Sequence, residues 1–202
     1  MKILAAGDIH GDINLAKSLA ERAVKEEVDY VIICGDITYG DMSTTHLIKP
    51  FVERNLKVFI IPGNHESIAT TGFLSELYGI KNLHGYAISS NNVGVFGAGG
   101  ATNVGPAPIV TEEELFGLLD KGHDKIKDLQ KKIMVTHMHP SESLMGQLSE
   151  FVPPSTAVKK AIDTFKPNIL LCSHVHEAEG IEEMIGNTKV INVGKKGKII
   201  EL

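Results

Sequence analysis

The sequence of 202 residues contains no tryptophan, few aromatic residues and no surplus of basic charge. Aromatic residues make up only 5% of the chain, which argues against a stacking surface for single-stranded nucleic acid. The formal net charge of −5 disfavours broad electrostatic capture of nucleic acid. No apolar run is long enough to cross a bilayer, and no signal peptide precedes the first apolar run. We therefore expect a cytoplasmic protein without a membrane partner, for which nucleic acid is a disfavoured ligand.

Only two cysteines are present, Cys34 and Cys172, and each is the last apolar residue of a strand-like run. Both are interpreted as small buried side chains, because free cysteine packs well in cores. A minor role in redox sensitivity stays open. Two cysteines at these positions do not indicate a disulfide framework, so we expect a reducing compartment.

Apolar runs that are typical of strands alternate with segments of helical periodicity. Strands are predicted at residues 3–6, 31–34, 58–61, 133–135 and 169–172, and further short strands near 180–184, 190–193 and 198–201. Helices are predicted at residues 15–27, 44–53, 67–78, 111–119 and 157–165. Asn91 and Asn92 separate two further strand-like segments, which indicates a hairpin. Thr111, with Glu114 three residues later, has the pattern of a capping box.

This strand–helix rhythm predicts parallel strands joined by crossovers, and hence an α/β fold. The strand runs are apolar throughout rather than alternating, as expected for strands that are buried on both faces. Two mixed sheets packed face to face, with helices outside, would explain this pattern. The length suits a single domain over residues 1–202, with a sizeable core.

Five short polar segments follow these apolar runs. In chain order they are Asp8-Ile9-His10, Gly35-Asp36, Gly63-Asn64-His65-Glu66, Thr136-His137-Met138-His139 and Ser173-His174-Val175-His176. Side chains at the carboxyl ends of several strands converge on one crevice in an open α/β sheet. Nitrogen and oxygen ligands without thiolate suit Mn, Fe, Zn, Ni or Co better than a structural zinc site built from cysteines.

The spacing within these segments favours shared metal ions. An extended backbone would place Asp8 and His10 on the same side, and likewise His174 and His176. The carboxylate of Asp36 has two oxygens with which to bridge two ions. Two ions about 3.5–4 Å apart can activate a bridging hydroxide and clamp an in-line phosphoryl displacement. Each segment alone has an ordinary interpretation as a turn, but turns do not require this paired spacing.

The ordered segments resemble the signature of the calcineurin-like metallophosphoesterase family, which runs D-x-H, G-D, G-N-H-[ED], a later histidine, and G-H-x-H. The resemblance covers Asp8 to His176 and implies a four-layer α/β/β/α sandwich with a binuclear metal centre. It implies that one ion is held by Asp8, His10, Asp36 and His176. It implies that the second is held by Asp36, Asn64, His137 and His174, so that Asp36 bridges. His65 would be the non-ligand histidine that contacts the phosphoryl oxygen and helps to protonate the leaving group.

The proposed role of His65 also makes chemical sense by itself, because a proton donor lowers the barrier for an alkoxide leaving group. A carboxylate is expected to orient its imidazole, and both Glu66 and Asp41 are open as that partner. The alternative for Glu66 is a solvated residue in the first turn of the following helix.

Three departures from the family pattern bear on function. Ser173 replaces the first glycine of G-H-x-H, which affects how closely the backbone approaches the metals. The arginines that extend two motifs in serine/threonine protein phosphatases are missing, so the bidentate grip on a phosphomonoester is lost. Of two neighbouring histidines, His137 is chosen as the ligand, and His139 is left as a substrate-facing residue or as a swapped ligand.

The sequence therefore predicts a binuclear metal-dependent phosphoesterase that acts on a small phosphate ester, with a diester favoured over a phosphoprotein. Two alternatives stay open: a catalytically idle partner-binding scaffold of the same fold, and a nuclease. Residues 97–108 and 141–154 are predicted as walls of the pocket. By resemblance to small stand-alone prokaryotic members, Asn192 and Gly194 are expected near the site. The substrate, the native metals and the existence of a homo-oligomer are left open.

Overall fold

The structure is a computed structural model that describes residues 1–42, 44–102, 110–149 and 151–202. Its strands are β1 Lys2–Ala6, β2 Tyr30–Cys34, β3 Val58–Ile61, β4 Lys81–Asn82, β5 Tyr86–Ser90, β6 Val93–Ala98, β7 Lys131–Thr136, β8 Ile169–Cys172, β9 Glu182–Ile185, β10 Thr188–Asn192 and β11 Lys198–Glu201. Its helices are α1 Ile13–Lys25, α2 Lys49–Val52, α3 Ile68–Tyr78, α4 Glu112–His123 and α5 Thr156–Phe165. Two short 3₁₀ helices cover Met145–Gln147 and His176–Ala178.

The strands form two mixed sheets, in the orders β11-β1-β2-β3-β4 and β5-β6-β7-β8-β10-β9. In the first sheet, β1 to β4 run parallel and β11 is an antiparallel edge. In the second, the parallel strands β6, β7, β8 and β10 are flanked by antiparallel β5 and β9. The predicted α/β fold with two mixed sheets is confirmed. The parallel strands of each sheet end at one edge, where the polar segments begin.

Both faces of the central strands are buried. Ile3 of β1 packs in a cluster with Ile133 of β7, so this cluster lies between the two sheets. Its neighbour Leu4 packs with Leu19 of α1 on the outer face of the first sheet. Met134 of β7 belongs to a third cluster, which includes residues of α4 and α5. This burial on two faces explains why the strand sequences are apolar throughout.

Local sequence signals determine several element ends as predicted. Thr111 and Glu114 form the capping box of α4, in which each side chain bonds the other residue's backbone amide. Asn91 and Asn92 both have positive φ, 50° and 63°, and connect the antiparallel strands β5 and β6.

None of the helices within the described ranges has the length and hydrophobicity required of a membrane-spanning helix.

The helix predicted at residues 44–53 is much shorter in the structure. It begins at Lys49, with Ile48 as its N-cap and Pro50 in its first turn. Proline lacks the amide hydrogen that an interior helical position needs, so a helix that contains Pro50 cannot begin several residues earlier. His46, with φ of 65°, also breaks the helical backbone ahead of it. The two-residue strand β4 was not predicted.

A backbone contact joins the two sheets beside their polar edge. The amide of Gly100, after β6, donates to the carbonyl oxygen of Pro62, after β3, at 2.9 Å. Neighbouring Gly99 lies so close that a Cβ there would overlap the same carbonyl oxygen. By contrast, a Cβ at Gly72 in α3 would meet no atom within 4 Å. The close approach at Gly99 therefore requires glycine.

We predict that Gly99→Ala destabilises the protein by about 1–3 kcal/mol, because the backbone must shift to relieve the overlap. Gly72→Ala is the matched control and should stabilise it by about 0.5–1 kcal/mol, because alanine favours the helix. Urea denaturation of both variants measures these changes. Equal free energies of unfolding for Gly99→Ala and the unchanged protein would contradict the close contact.

Candidate metal centre

The structure brings the predicted ligands together at the carboxyl ends of β1, β2, β3, β7 and β8. Three groups of donor atoms are each mutually within 4.8 Å: Asp8, His10 and His176; His10, Asp36 and His65; and Asp36, His137 and His174. Asn64 adjoins the last group, because its Oδ1 lies 2.9 Å from Nε2 of His137. All seven residues predicted as ligands therefore lie in one cluster, with His65 beside them.

Asp36 belongs to two of these groups and so links His10 and His65 with His137 and His174. Its Oδ2 is 3.8 Å from Nε2 of His10 and 3.4 Å from Nε2 of His137. Two ligand atoms bound at about 2.1 Å and at right angles lie about 3 Å apart, so these separations are close to those of shared ligands. Nε2 of His10 and Nε2 of His176 are similarly spaced, at 3.3 Å. These clustered donors could hold divalent metal.

The backbone that presents these ligands is not the extended chain that the sequence suggested. Asp8, His10, Asp36 and His174 all lie in the left-handed region, with φ between 48° and 73°. Strands β1, β2 and β8 end before these residues. The explanation by strand alternation is therefore wrong, although the side chains do converge. Left-handed non-glycine residues are uncommon and cluster at functional sites, where the surrounding structure maintains them.

His137 is fixed by a backbone contact that also sets its tautomer. Nδ1 lies 2.8 Å from the carbonyl oxygen of Cys34, and a carbonyl can only accept a hydrogen bond. Nδ1 therefore carries the hydrogen, and in the neutral ring Nε2 presents its lone pair towards Asp36 and Asn64. This is the orientation that a metal-binding histidine needs.

The protonation states of Asp36 and the neighbouring histidines depend on one another. Burial lowers the pKa of His137, but the charge of Asp36 and a hydrogen bond to it outweigh burial and raise the value to about 9. Burial would raise the pKa of Asp36, but the charge and hydrogen bond of His137 hold it below its usual range. Burial, followed by the charge of His137, lowers the pKa of His174. Asp36 is thus ionised, while His174 is neutral and able to act as a ligand.

A polar atom left without a partner fits a metal centre. Nε2 of His174 is buried and has no hydrogen-bond partner among the described residues. A buried polar atom without a partner costs about 1–3 kcal/mol. Divalent ions accept such lone pairs, and the mixture of imidazole, carboxylate and amide donors suits Mn, Fe, Zn, Ni or Co. The residues present therefore fit divalent ions.

Ser173, which replaces the family's glycine, contacts a candidate ligand directly. It is fully buried, and its Oγ donates a hydrogen bond to Oδ2 of Asp8. The amide of His174 lies 3.3 Å from the same carboxylate. Oδ1 of Asp8 is 3.8 Å from Nε2 of His176. Ser173 therefore orients Asp8 so that one oxygen faces the metal side of the cluster.

His65 is held differently from the prediction. Its amide donates to Oδ1 of Asp36 at 2.9 Å, and its ring stacks on Tyr39 at 4.8 Å between centroids. Neither of the two expected carboxylates orients the imidazole. Asp41 accepts from the amide of Ser67, and Glu66 accepts from backbone amides. Sequence reasoning missed Tyr39, because only contacts across the folded chain show which ring it reaches.

Glu66 braces the loops that carry Asp36 and Asn64. It is fully buried, so the alternative of a solvated first-turn residue is wrong. Its carboxylate accepts from the amide of Gly63 at 2.7 Å and from that of Thr38 at 3.2 Å. Burial, followed by the charge of Asp36, raises its pKa to about 7. Glu66 is thus a structural partner of both loops.

His139 lies apart from the candidate ligands. It belongs to none of the three donor groups and is fully buried, so its ring does not face the open cavity. Burial lowers its pKa to about 4. Among the described residues neither ring nitrogen has a hydrogen-bond partner. The geometry favours His137 for the metal position, and the substrate-facing alternative for His139 is wrong.

A cavity of about 240 Å³ opens over the cluster. Its walls include Ser149, Phe151 and Val152, from the segment 141–154 that was predicted to line it. Residues 103–108 of the other predicted wall lie outside the described residues. A smaller adjoining cavity is lined by Asp8, His176 and Gly194, which places Gly194 beside the site as expected. The side chain of Asn192 donates to the carbonyl oxygen of Val175 at 2.9 Å.

Comparison with known proteins identifies the family. The model of the calcineurin-like phosphoesterase family matches residues 1–178, and the chain belongs to this family. An uncharacterized protein of Methanocaldococcus jannaschii, MJ1162, is 28% identical over 210 residues, covering 99% of this chain and 91% of that protein. Family membership supports metal-dependent hydrolysis of phosphoesters.

Solved structures share the fold at low sequence identity. TT1561 of Thermus thermophilus has a TM-score of 0.78 at 19% identity, covering 96% of this chain and 88% of that chain. A dimetal phosphatase from Danio rerio has a TM-score of 0.68 at 13% identity, covering 96% and 87%. These likenesses confirm the two-sheet architecture.

The pair of His137 and Asp36 predicts a pH dependence for the metal-free protein. Because the pKa of His137 is raised from 6.5 to about 9 on folding, its stabilising effect is complete below pH 6.5. That effect is lost as the pH rises through about 9, by up to about 3 kcal/mol. Urea denaturation in EDTA at pH 6 and pH 9.5 measures this loss. His137→Gln should show a smaller loss, whereas exposed His46→Gln should match the unchanged protein.

Ser173→Ala should weaken metal binding about 10–100-fold, because Asp8 loses the partner that orients it. Titration of Mn²⁺ followed by calorimetry measures the affinity. Ser75→Ala is the control, because that buried hydroxyl donates to the carbonyl oxygen of Thr71 within α3. An affinity within twofold of the unchanged protein would refute the role of Ser173.

Proposed function

We propose that residues 1–202 form one metallophosphoesterase domain that hydrolyses a small phosphodiester with two divalent ions. The observation that carries this proposal is the place of Asp36, within 3.8 Å of a donor nitrogen on either side. One ion is assigned to Asp8, His10, Asp36 and His176, and the other to Asp36, Asn64, His137 and His174. Two such ions, when bound, lower the pKa of a shared water and neutralise charge on phosphoryl oxygens.

The distribution of arginine supports a diester rather than a phosphomonoester. The chain contains two arginines, Arg22 and Arg54. The Arg22 guanidinium donates to the carbonyl oxygen of Lys196 at 2.7 Å, and that of Arg54 to Pro50 at 2.9 Å. Neither contacts the cluster, so the bidentate grip that suits a phosphate dianion is absent. A diester carries one negative charge fewer and needs less cationic help from the protein.

His65 supplies the proton in this proposal. Its half-buried ring shares a donor group with His10 and Asp36, and its Nδ1 has no hydrogen-bond partner among the described residues. Stacking on Tyr39 holds the ring plane while leaving its nitrogens free. These observations support the proposal that His65 contacts a phosphoryl oxygen and donates a proton to the departing alkoxide.

We predict that His65→Asn lowers kcat on bis-p-nitrophenyl phosphate about 100-fold, because the proton donor is lost. The loss should be larger with an alkyl leaving group, which needs its proton more than p-nitrophenolate does. His46→Asn is the matched control, since His46 is exposed and lies outside the cluster. Its kcat should equal that of the unchanged protein.

The assay is run with added Mn²⁺ and repeated with Fe²⁺, Zn²⁺, Ni²⁺ and Co²⁺. Turnover by the unchanged protein that never exceeds that of His65→Asn, under any of these ions, would refute the proposal. That result would favour the idle scaffold. Preferential cleavage of oligonucleotides would favour the nuclease.

A further inference from the structure

An aromatic side chain stands exposed at the rim of the candidate metal centre. Phe151 is 89% exposed, and it lines the same cavity as His10, His65 and His176. Single exposed apolar residues are common on protein surfaces and need no explanation. A phenyl ring in this position is different, because it borders the cavity that opens over the cluster.

A second exposed ring borders the same cluster. Tyr39 is 59% exposed, and its ring centroid lies 4.8 Å from that of His65 and 5.9 Å from that of His10. Tyr39 follows β2 in the first sheet, whereas Phe151 lies between β7 and α5 in the second. Aromatic surface is thus supplied to the site by both halves of the sandwich, in a chain that contains only 11 phenylalanines and tyrosines.

The other residues that line the cavity indicate which class of ligand it favours. Ser149 and Glu177 line it beside Phe151, so the cavity is not a continuous apolar groove of the kind that a lipid chain would fill. The Glu177 carboxylate is exposed and disfavours a second phosphate, but it can accept hydrogen bonds from a sugar or a base. A planar aromatic group with polar edges matches a phenyl ring next to polar side chains.

We infer that Phe151 stacks on a planar aromatic substituent of the substrate, so that the preferred substrates are diesters of a mononucleotide. This inference rests on the proposed phosphodiesterase activity and names the substrate class of that site. Stacking of a base on an aromatic side chain is tolerant of sequence, because every base has a π-face. Phe151 would therefore select nucleosides as a class rather than one particular base.

Two substrates with the same leaving group test the inference. On the ester position that is not cleaved, the p-nitrophenyl ester of thymidine 5′-monophosphate carries a nucleoside, whereas methyl p-nitrophenyl phosphate carries only a methyl group. Phe151→Ala should lower kcat/KM for the thymidine ester about tenfold, mainly through KM, because stacking stabilises the bound substrate. It should leave the methyl ester within twofold, and Phe151→Tyr should restore the thymidine ester.

The control is Phe73→Ala, since Phe73 is 56% exposed on α3 and does not line the cavity. An equal effect of Phe151→Ala on both esters, or none on either, would overturn the inference while leaving the hydrolase intact. Preference of the unchanged protein for the methyl ester would do the same.

If neither ester is cleaved, the proposed function fails, and calorimetry with the intact thymidine ester decides the inference. Equal affinity for the Phe151→Ala variant would then overturn it.

Discussion

The buried carboxylate of Asp36 is the group on which the rest of the site depends. Taking an isolated carboxylate out of water costs several kcal/mol, so a buried one needs compensating charge. In the metal-free protein the charge of His137 compensates Asp36, and the amide of His65 donates a hydrogen bond to it. The same carboxylate lies between the two halves of the donor cluster, where cations would replace the proton of His137. One group thereby connects the stability of the loops with the binding of ions.

The fold supports this carboxylate through loops rather than strands. Strands β1, β2 and β8 end just before candidate ligands, and left-handed residues, among them Asp8, Asp36 and His174, then turn the chain towards the cluster. Such backbone persists only where surrounding contacts maintain it. Glu66 bonds the loops after β2 and β3, and the contact of Gly100 with Pro62 joins one sheet to the other. The geometry of the donors is therefore a property of the whole sandwich edge.

Much of this architecture could be predicted from the sequence, because its signals are local. Apolar runs mark strands that are buried on both faces, and the paired histidines and aspartates follow those runs directly. Other features could not be read from local patterns. The left-handed backbone at Asp8 and Asp36 depends on contacts between loops, and the stack of Tyr39 on His65 depends on how two loops meet. The burial of Glu66 could not be predicted either. A glutamate in a first turn is usually solvated, and here its burial depends on contacts with two loops.

Metal content tests the account most directly. The protein would be dialysed against Mn²⁺, freed of loosely bound ions, and analysed by mass spectrometry of its metals together with its Asp36→Asn variant. The account predicts two ions per chain for the unchanged protein and a loss of binding at both positions in the variant, because Asp36 is shared. A chain that retains no ion, or a variant that retains as many ions as the unchanged protein, would contradict a centre built around this carboxylate.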